Sequence, residues 1–133
     1  MPQGRLLTMR ALLILAAAAT TSAAPPAAPM QTHAEFDVPR GKPQWVIVQT
    51  RDFASGAASG WHVHPGIEVG YVASGQLEVH TKGKVSVLNA GDSFTMPRGL
   101  AHNGVNKSPQ PARIVITLVV DKGAAPRQPV KAP

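Results

Sequence analysis

The most informative part of the sequence is GAASGWHVHPGIEVGYVASG, which runs from Gly56 to Gly75. Two histidines, His62 and His64, lie two residues apart within it. Side chains at positions i and i+2 of an extended strand point to the same face, so one strand can direct both imidazoles at one point. The pair is therefore predicted to chelate a metal ion.

A carboxylate and a third histidine extend this pair. Pro65-Gly66 is a turn signal that can bring Glu68 back beside the two histidines on the next strand. Further along, GDSFTMPRGLAHNGVN, from Gly91 to Asn106, places the turn Pro97-Arg98-Gly99 just before His102. Three imidazoles and one carboxylate suit one divalent transition metal ion, such as Fe, Mn, Ni, Cu or Zn, and leave room for water or substrate. The predicted metal ligands are His62, His64, Glu68 and His102.

The remaining histidines are predicted to lie outside this site. His33 is a lone histidine in a segment rich in proline and alanine, where solvent exposure is the expected state. His80 shares the polar face of an alternating strand with Glu78, so it is also expected to be exposed. A single histidine carries little information, and the metal prediction depends on the joint spacing of all four ligands with the turn residues.

The spacing of both stretches resembles the cupin superfamily. The first cupin motif, G(x)5HxH(x)3-4E(x)6G, is matched from Gly56 to Gly75, and the second, G(x)5PxG(x)2H(x)3N, from Gly91 to Asn106. No anchor position departs from either motif. The resemblance implies a jelly-roll β-barrel with a metal site. Cupins include dioxygenases, oxalate-degrading enzymes, sugar isomerases and epimerases, storage proteins and ligand-sensing domains, so the resemblance identifies no single reaction.

The rest of the pattern predicts an all-β fold, because no window has helical periodicity and short strand-like runs alternate with turn signals. Ser74-Gly75 is interpreted as a tight hairpin between two strands. The nearly continuous apolar run from Ala112 to Asp121 indicates a strand covered on both faces. The predicted strands are Trp45 to Arg51, Val69 to Ala73, Gln76 to Thr81, Val85 to Leu88, Ser93 to Met96 and Ala112 to Asp121, with Glu35 to Val38 as a candidate edge strand.

Four segments are predicted along the chain. Residues 1–24 read as a cleaved export signal, because Arg5 and Arg10 precede the apolar run Ala11 to Ala19 and small residues follow it. This run is too short for a confident membrane span. The expected location is therefore periplasmic or secreted. Residues 25–34 are predicted to be a disordered leader, 35–121 the single cupin domain and 122–133 a disordered tail.

Composition excludes several classes of function. The chain has no cysteine, which rules out disulfides and thiolate catalysis. Removing Arg5 and Arg10 leaves eleven basic and seven acidic residues, a net charge of +4. These basic residues are scattered and lack interleaved aromatics, so no nucleic-acid partner is expected.

Two functions fit the predicted site. The favoured one is a metal-dependent enzyme, similar to a dioxygenase or an isomerase, that acts on a small oxygen-rich molecule with Glu68 as a labile ligand. The alternative is a non-catalytic module that captures a small ligand or a metal outside the cytoplasm. A homodimer is expected in either case, since a chain this short with such an apolar strand leaves sheet surface that one copy cannot cover.

Overall fold

The computed structural model describes Thr32 and residues 35–133. Nine β-strands, joined by turns and loops, lie within this part of the chain. The predicted export signal and most of the predicted leader, including His33, lie outside these residues. The candidate edge strand at Glu35 to Val38 is wrong, since these residues form no strand. The strands are β1 (Gln44–Phe53), β2 (His62–Val63), β3 (Gly66–Ser74), β4 (Gln76–Thr81), β5 (Lys84–Asn89), β6 (Ser93–Met96), β7 (His102–Val105), β8 (Ala112–Asp121) and β9 (Gln128–Pro129).

The strands form two antiparallel sheets. The first has the order β1-β8-β3-β6 and the second the order β5-β4-β7-β2-β9. Neighbours in each sheet are mostly distant in sequence, as expected when a chain passes back and forth between two sheets. The arrangement confirms the predicted all-β jelly-roll.

The core lies between the inner faces of the two sheets. Strand β8 contributes alternate residues, which are Ala112, Ile114, Ile116, Leu118 and Val120, all buried. The side chains between them are only half-buried or exposed. The prediction that both faces of this strand are covered is therefore wrong. The strand pairs with β1 on one side and β3 on the other, but the side chains of its outer face stay partly open to solvent.

The predicted hairpin at Ser74-Gly75 is also wrong. Strand β3 pairs with β6 and β8 in the first sheet, whereas β4 pairs with β5 and β7 in the second, so the chain changes sheet at Gly75. Gly75 has a φ of 76°, and a Cβ there would lie 2.4 Å from the Pro111 carbonyl oxygen. Only glycine fits this close crossing between the sheets.

The prediction of a disordered tail over residues 122–133 is wrong for the part that contains β9. Gln128 and Pro129 lie opposite Val63 and His62 of β2. The amide of Val130 donates to the carbonyl of Trp61 at 3.0 Å. The proline-rich composition hid this strand because Pro129 fits at a sheet edge, and β9 is the edge of the second sheet.

Candidate metal centre

The four predicted ligands come from both sheets. His62 on β2 lies directly opposite His102 on β7, so the two side chains share one face of the second sheet. His64 follows β2, and Glu68 lies on β3 of the first sheet. Gly66, at the start of β3, allows β3 to lie close to β8, because a Cβ at that position would lie 2.0 Å from the Val119 carbonyl oxygen.

The four side chains converge in a buried group. Their potential ligand atoms all lie within 4.8 Å of one another. The imidazole centroids of His62 and His102 are 4.3 Å apart, and that of His64 lies 4.9 Å from the first and 5.2 Å from the second. Each of the four residues, including Glu68, is at most 5% exposed. The spacing of the motif therefore becomes a compact set of three nitrogen donors and one carboxylate.

Backbone carbonyls determine which nitrogen of each imidazole faces the group. Nδ1 of His62 donates to Gly60 at 2.7 Å, Nδ1 of His64 to Pro126 at 2.6 Å, and Nδ1 of His102 to Leu100 at 2.8 Å. A carbonyl oxygen only accepts hydrogen bonds, so each Nδ1 carries a proton, and Nε2 is the ring nitrogen that faces the group. Metal-binding histidines have this same outer support.

The inner face of the group fits a cation. Oε2 of Glu68 lies 2.7 Å from Nε2 of His102 and 3.0 Å from Nε2 of His64. The buried Nε2 of His64 makes no hydrogen bond with any described residue. The buried carboxylate needs a positive charge beside it, which protons on the Nε2 atoms or a divalent transition metal ion held by the same atoms would supply. The four residues therefore form a group that could hold one metal ion.

The pKa values of His62 and Glu68 favour metal binding, whereas that of His64 favours a protonated ring when no metal ion is bound. Burial lowers the pKa of His62 to about 4, which keeps its ring neutral. Burial alone would also lower the pKa of His64, but Glu68 and the Pro126 carbonyl raise it. Burial would raise the pKa of Glu68, yet contacts with His102 and His64 lower it to about 2. Glu68 is thus an anionic donor at neutral pH.

A cleft of about 580 Å³ opens beside the group, which makes the centre reachable by a small molecule. Its wall includes three of the predicted ligands, His62, His64 and Glu68. It also includes two arginines, which are Arg51 of β1 and Arg127. The remaining lining residues are Ile47, Gln49, Thr50, Ile116, Leu118 and Pro126. This volume is within the usual range for small-molecule sites.

His80, which was expected to be exposed, lies away from the centre. It is half-buried, and its Nε2 lies 2.7 Å from Oε2 of Glu78, which also contacts Lys107 at 3.3 Å.

The last anchor of the second motif, Asn106, is fully buried and connects two segments of the main chain by hydrogen bonds. Its side-chain amide donates to the carbonyls of Phe53 and Gln110.

A family model described as a cupin domain matches residues 49–120. The chain belongs to this family. As a cupin, it has both sequence and structural relatives of known name. It is 36% identical over 75 residues to oxalate oxidase 2 of Hordeum vulgare, a match that covers 50% of this chain and 34% of that protein. It is 37% identical over 75 residues to germin-like protein 3-5 of Oryza sativa subsp. japonica, covering 50% of this chain and 33% of that protein. The chain spans about a third of the length of these relatives.

Solved structures show the same cupin fold. A conserved protein with a double-stranded β-helix domain from Klebsiella pneumoniae has a TM-score of 0.55 and 29% identity, covering 63% of this chain and 74% of that one. An oxalate oxidase in complex with the substrate analogue glycolate has a TM-score of 0.54 and 31% identity, covering 59% of this chain and 44% of that one. Within the described part of the cupin, no helix is long and apolar enough to cross a membrane.

Sequence reasoning missed the residues that complete this cupin site from outside the two motifs. Pro126 and Arg127 lie in the segment predicted to be disordered, and Arg51 ends the predicted strand Trp45 to Arg51, for which no inward-facing residue was predicted. For Arg51 alone, alternation along β1 offers a signal, since Arg51 lies two residues before the buried Phe53. The contact of Pro126 with His64 has no local pattern at all, since the two residues lie 62 positions apart.

Proposed function

We propose that this cupin is a metal-dependent enzyme acting on a small oxygen-rich molecule. The observation that carries the proposal is the orientation of the three imidazoles, whose Nδ1 atoms are all bonded to backbone carbonyls. This arrangement prepares three Nε2 donors around Glu68 beside an open cleft. A purely structural metal site would be expected to be closed rather than open to a small molecule.

The chain's own residues have separable roles in this function. His62, His64 and His102 would hold the ion, and the carbonyls behind them keep the rings from rotating. When bound, the metal ion supplies Lewis acidity or a redox centre for oxygen ligands of the substrate. Glu68 supplies the negative charge and is the ligand proposed to yield its place to an incoming oxygen atom. Ile47, Ile116 and Leu118 supply the hydrophobic part of the cleft wall.

The relatives support oxalate as the first substrate to test. One relative similar in sequence and one similar in structure are both named as oxalate oxidases. Because the chain covers less than half the length of either, the transfer of their activity to this chain is part of the proposal. Isomerisation of a small hydroxylated compound remains within the same metal-dependent class.

Metal analysis followed by activity assays tests this function. Protein purified from its native host is expected to contain close to one transition metal ion per chain by mass spectrometry. Oxygen uptake is then measured with oxalate, and with catechol-like, flavonol, diketone and uronate compounds. Turnover of any of these by the metal-loaded protein, lost after chelation, supports the enzyme. A protein that binds metal and small molecules but transforms none of them would instead be a non-catalytic capture module.

We further propose that the protein is exported. The support is the order of features in the sequence, namely Arg5 and Arg10, the apolar run Ala11 to Ala19 and the small residues through Ala24. N-terminal sequencing of the native protein tests this proposal. A first residue near Ala24 or Pro25 supports export, whereas a chain that begins at Met30 in the cytoplasmic fraction contradicts it.

A further inference from the structure

The cleft beside the metal group carries two guanidinium groups that the ligand set does not use. Arg51 lies on the inner face of β1, because its register partner Ile114 and the next inward-facing residue, Phe53, are both buried. Arg127 enters the same cleft from the segment before β9. A charge on an inward-facing position is unfavourable unless a partner or solvent compensates it, so the placement of both arginines needs a physical reason.

The charge of the cleft is unbalanced. Among the described residues, Arg98 and Arg113 each form an ion pair with an aspartate, whereas neither Arg51 nor Arg127 pairs with a carboxylate. Glu68 is the one acidic residue in the cleft wall, and its carboxylate is in contact with two histidines. With a divalent ion added to the group, the positive excess at this surface increases further. An anion is the ligand that such a cleft favours.

Arg127 is held in place by its surroundings. Its Nη2 donates to the carbonyl of Ser59 and, at 3.4 Å, to the carbonyl of Gly60, which also accepts from His62. Its Nε is buried and has no hydrogen-bond partner among the described residues. Burial lowers the pKa of Arg127, the charge of Arg51 lowers it further and the charge of Glu68 raises it, as expected for residues that line one cleft. A fixed guanidinium with a donor to spare is a pre-organised anion-binding group.

We propose that this cleft binds a small organic carboxylate, with Arg51 and Arg127 as the residues that hold the carboxylate beside the metal group. This substrate class rests on the metal-dependent function proposed above. A guanidinium binds a carboxylate through parallel N–H···O bonds, and the remaining oxygen atoms of the ligand are then directed towards His62, His64 and Glu68. The ligand therefore carries a second oxygen function, such as a hydroxyl or another carboxylate.

An alternative role exists for Arg51 alone. Strand β1 is an edge of the first sheet, and inward-pointing charges on edge strands oppose unwanted pairing between molecules. Its guanidinium also lies over the ring of Phe53, 5.1 Å from the centroid. That role predicts a change in self-association when Arg51 is neutralised, and no change in ligand affinity. It does not account for Arg127, which lies outside β1.

Calorimetric titration with glycolate tests the proposal on both metal-loaded and chelator-treated protein. The variants are Arg51→Gln and Arg127→Gln, with Arg127→Lys to keep the charge without the fork. Arg40→Gln is the matched control, since Arg40 is exposed and lies outside the strands. Each glutamine variant is expected to weaken glycolate binding about 10- to 100-fold in the loaded protein, as loss of one charge-assisted contact implies. Arg40→Gln is expected to leave the affinity for glycolate unchanged. The affinity for neutral glycolamide is expected to be the same in the two glutamine variants as in wild type.

Metal content measured on the same samples separates the two proposals. Wild-type metal content with weakened glycolate binding in both glutamine variants supports the carboxylate site. Unchanged glycolate affinity in Arg51→Gln, which removes no main-chain hydrogen bond, overturns it even if Arg127→Gln fails to fold. Tighter binding of inorganic phosphate than of glycolate also overturns the carboxylate assignment. If wild-type protein holds no metal, the proposed function fails, and arginine-dependent binding of glycolate to that protein would still support the anion site.

Discussion

At the level of single residues, three backbone carbonyls orient the histidine rings of the site. Gly60, Leu100 and Pro126 each accept the Nδ1 proton of one histidine and so fix the direction of its Nε2. The apolar core is contributed by other residues, chiefly alternate positions of β8. The donors and the core are therefore largely independent, which allows them to be tested separately.

Replacing any one of His62, His64 or His102 by alanine is expected to remove the metal and keep the fold. Each change deletes one of four donors, so affinity should fall by more than the roughly 10- to 100-fold typical of outer-sphere changes. Mass spectrometry measures metal content, and circular dichroism measures the fold. Glu68→Gln should weaken binding less, since it keeps an oxygen donor. Full metal occupancy in all three alanine variants would refute the ligand assignment, and global unfolding would show that the metal is structural.

At the level of whole elements, the short strand β9 joins the fold and the site. It pairs with β2, and the residues just before it contact His64 through the Pro126 carbonyl. Strand β8 plays the matching role on the first sheet, since Asp121 at its end binds Arg98 at 2.8 and 2.9 Å and Gln44 at 2.9 Å. Both contacts join segments that are distant in sequence.

Truncating the chain after Gly123 is expected to weaken metal binding about 10- to 100-fold, because it removes the carbonyl that orients His64. Truncating after Val130 is the control, since it retains Pro126, β9 and the bond from Val130 to Trp61. Competition with a calibrated chelator measures the affinity of both shortened proteins. Equal affinity for the two would mean that residues 124–130 do not support the metal site.

The pair of Asp121 with Arg98 predicts a specific pH dependence of stability. Hydrogen bonds from Arg98 and Gln44 lower the pKa of Asp121 from 3.8 to about 2. A lowered native pKa stabilises the fold above pH 3.8, and this contribution is lost as the pH falls from about 3.8 to about 2. Asp121→Asn should therefore lower the urea midpoint at pH 7 slightly, as an exposed pair does, and the difference from wild type should shrink near pH 2.5.

Asp37→Asn is the matched control for this experiment, since Asp37 is exposed, lies outside the strands and forms no ion pair with any described residue. It removes the same charge and should leave the urea midpoint unchanged. A difference between Asp121→Asn and wild type that stays constant from pH 7 to pH 2.5 would argue against the ion pair as its source.

At the level of the whole molecule, the outer face of the first sheet is apolar and open. Val46 and Val48 of β1 are 69% and 67% exposed, and Tyr71 of β3 is 47% exposed. Their register partners on β8 are Val119, Thr117 and Val115, so all three lie on the same surface. An apolar sheet face with an edge strand beside it is a typical interface, and it supports the predicted homodimer.

Val48→Asp is expected to convert the dimer to a monomer, because it places a charge in the middle of this face. Light scattering at micromolar concentration measures the mass. Val85→Asp is the control, since Val85 is 53% exposed but lies on β5 of the other sheet. A wild-type protein that is already monomeric would contradict the homodimer.

The sequence predicted the fold class and the convergence of the four side chains because turn residues and i, i+2 spacing are local signals. His62, His64 and Glu68 lie within seven residues of one another, and His102 follows its own turn. Pairing between distant segments was beyond such signals. Ser74-Gly75 indicates a turn, but whether the next strand stays in the same sheet depends on the approach of Pro111, far along the chain. The role of Pro126 is a long-range contact of the same kind.

The contact between Pro126 and His64 also has a consequence for biosynthesis. All four donor side chains precede Pro126 in the chain, so a nascent polypeptide that has emerged through His102 already presents every donor atom. It still lacks β8, which supplies much of the apolar core, and the carbonyl that fixes the His64 ring. If the group binds a metal ion as proposed, we expect tight capture only after synthesis has passed residue 126, because a shorter chain lacks the contact that orients His64.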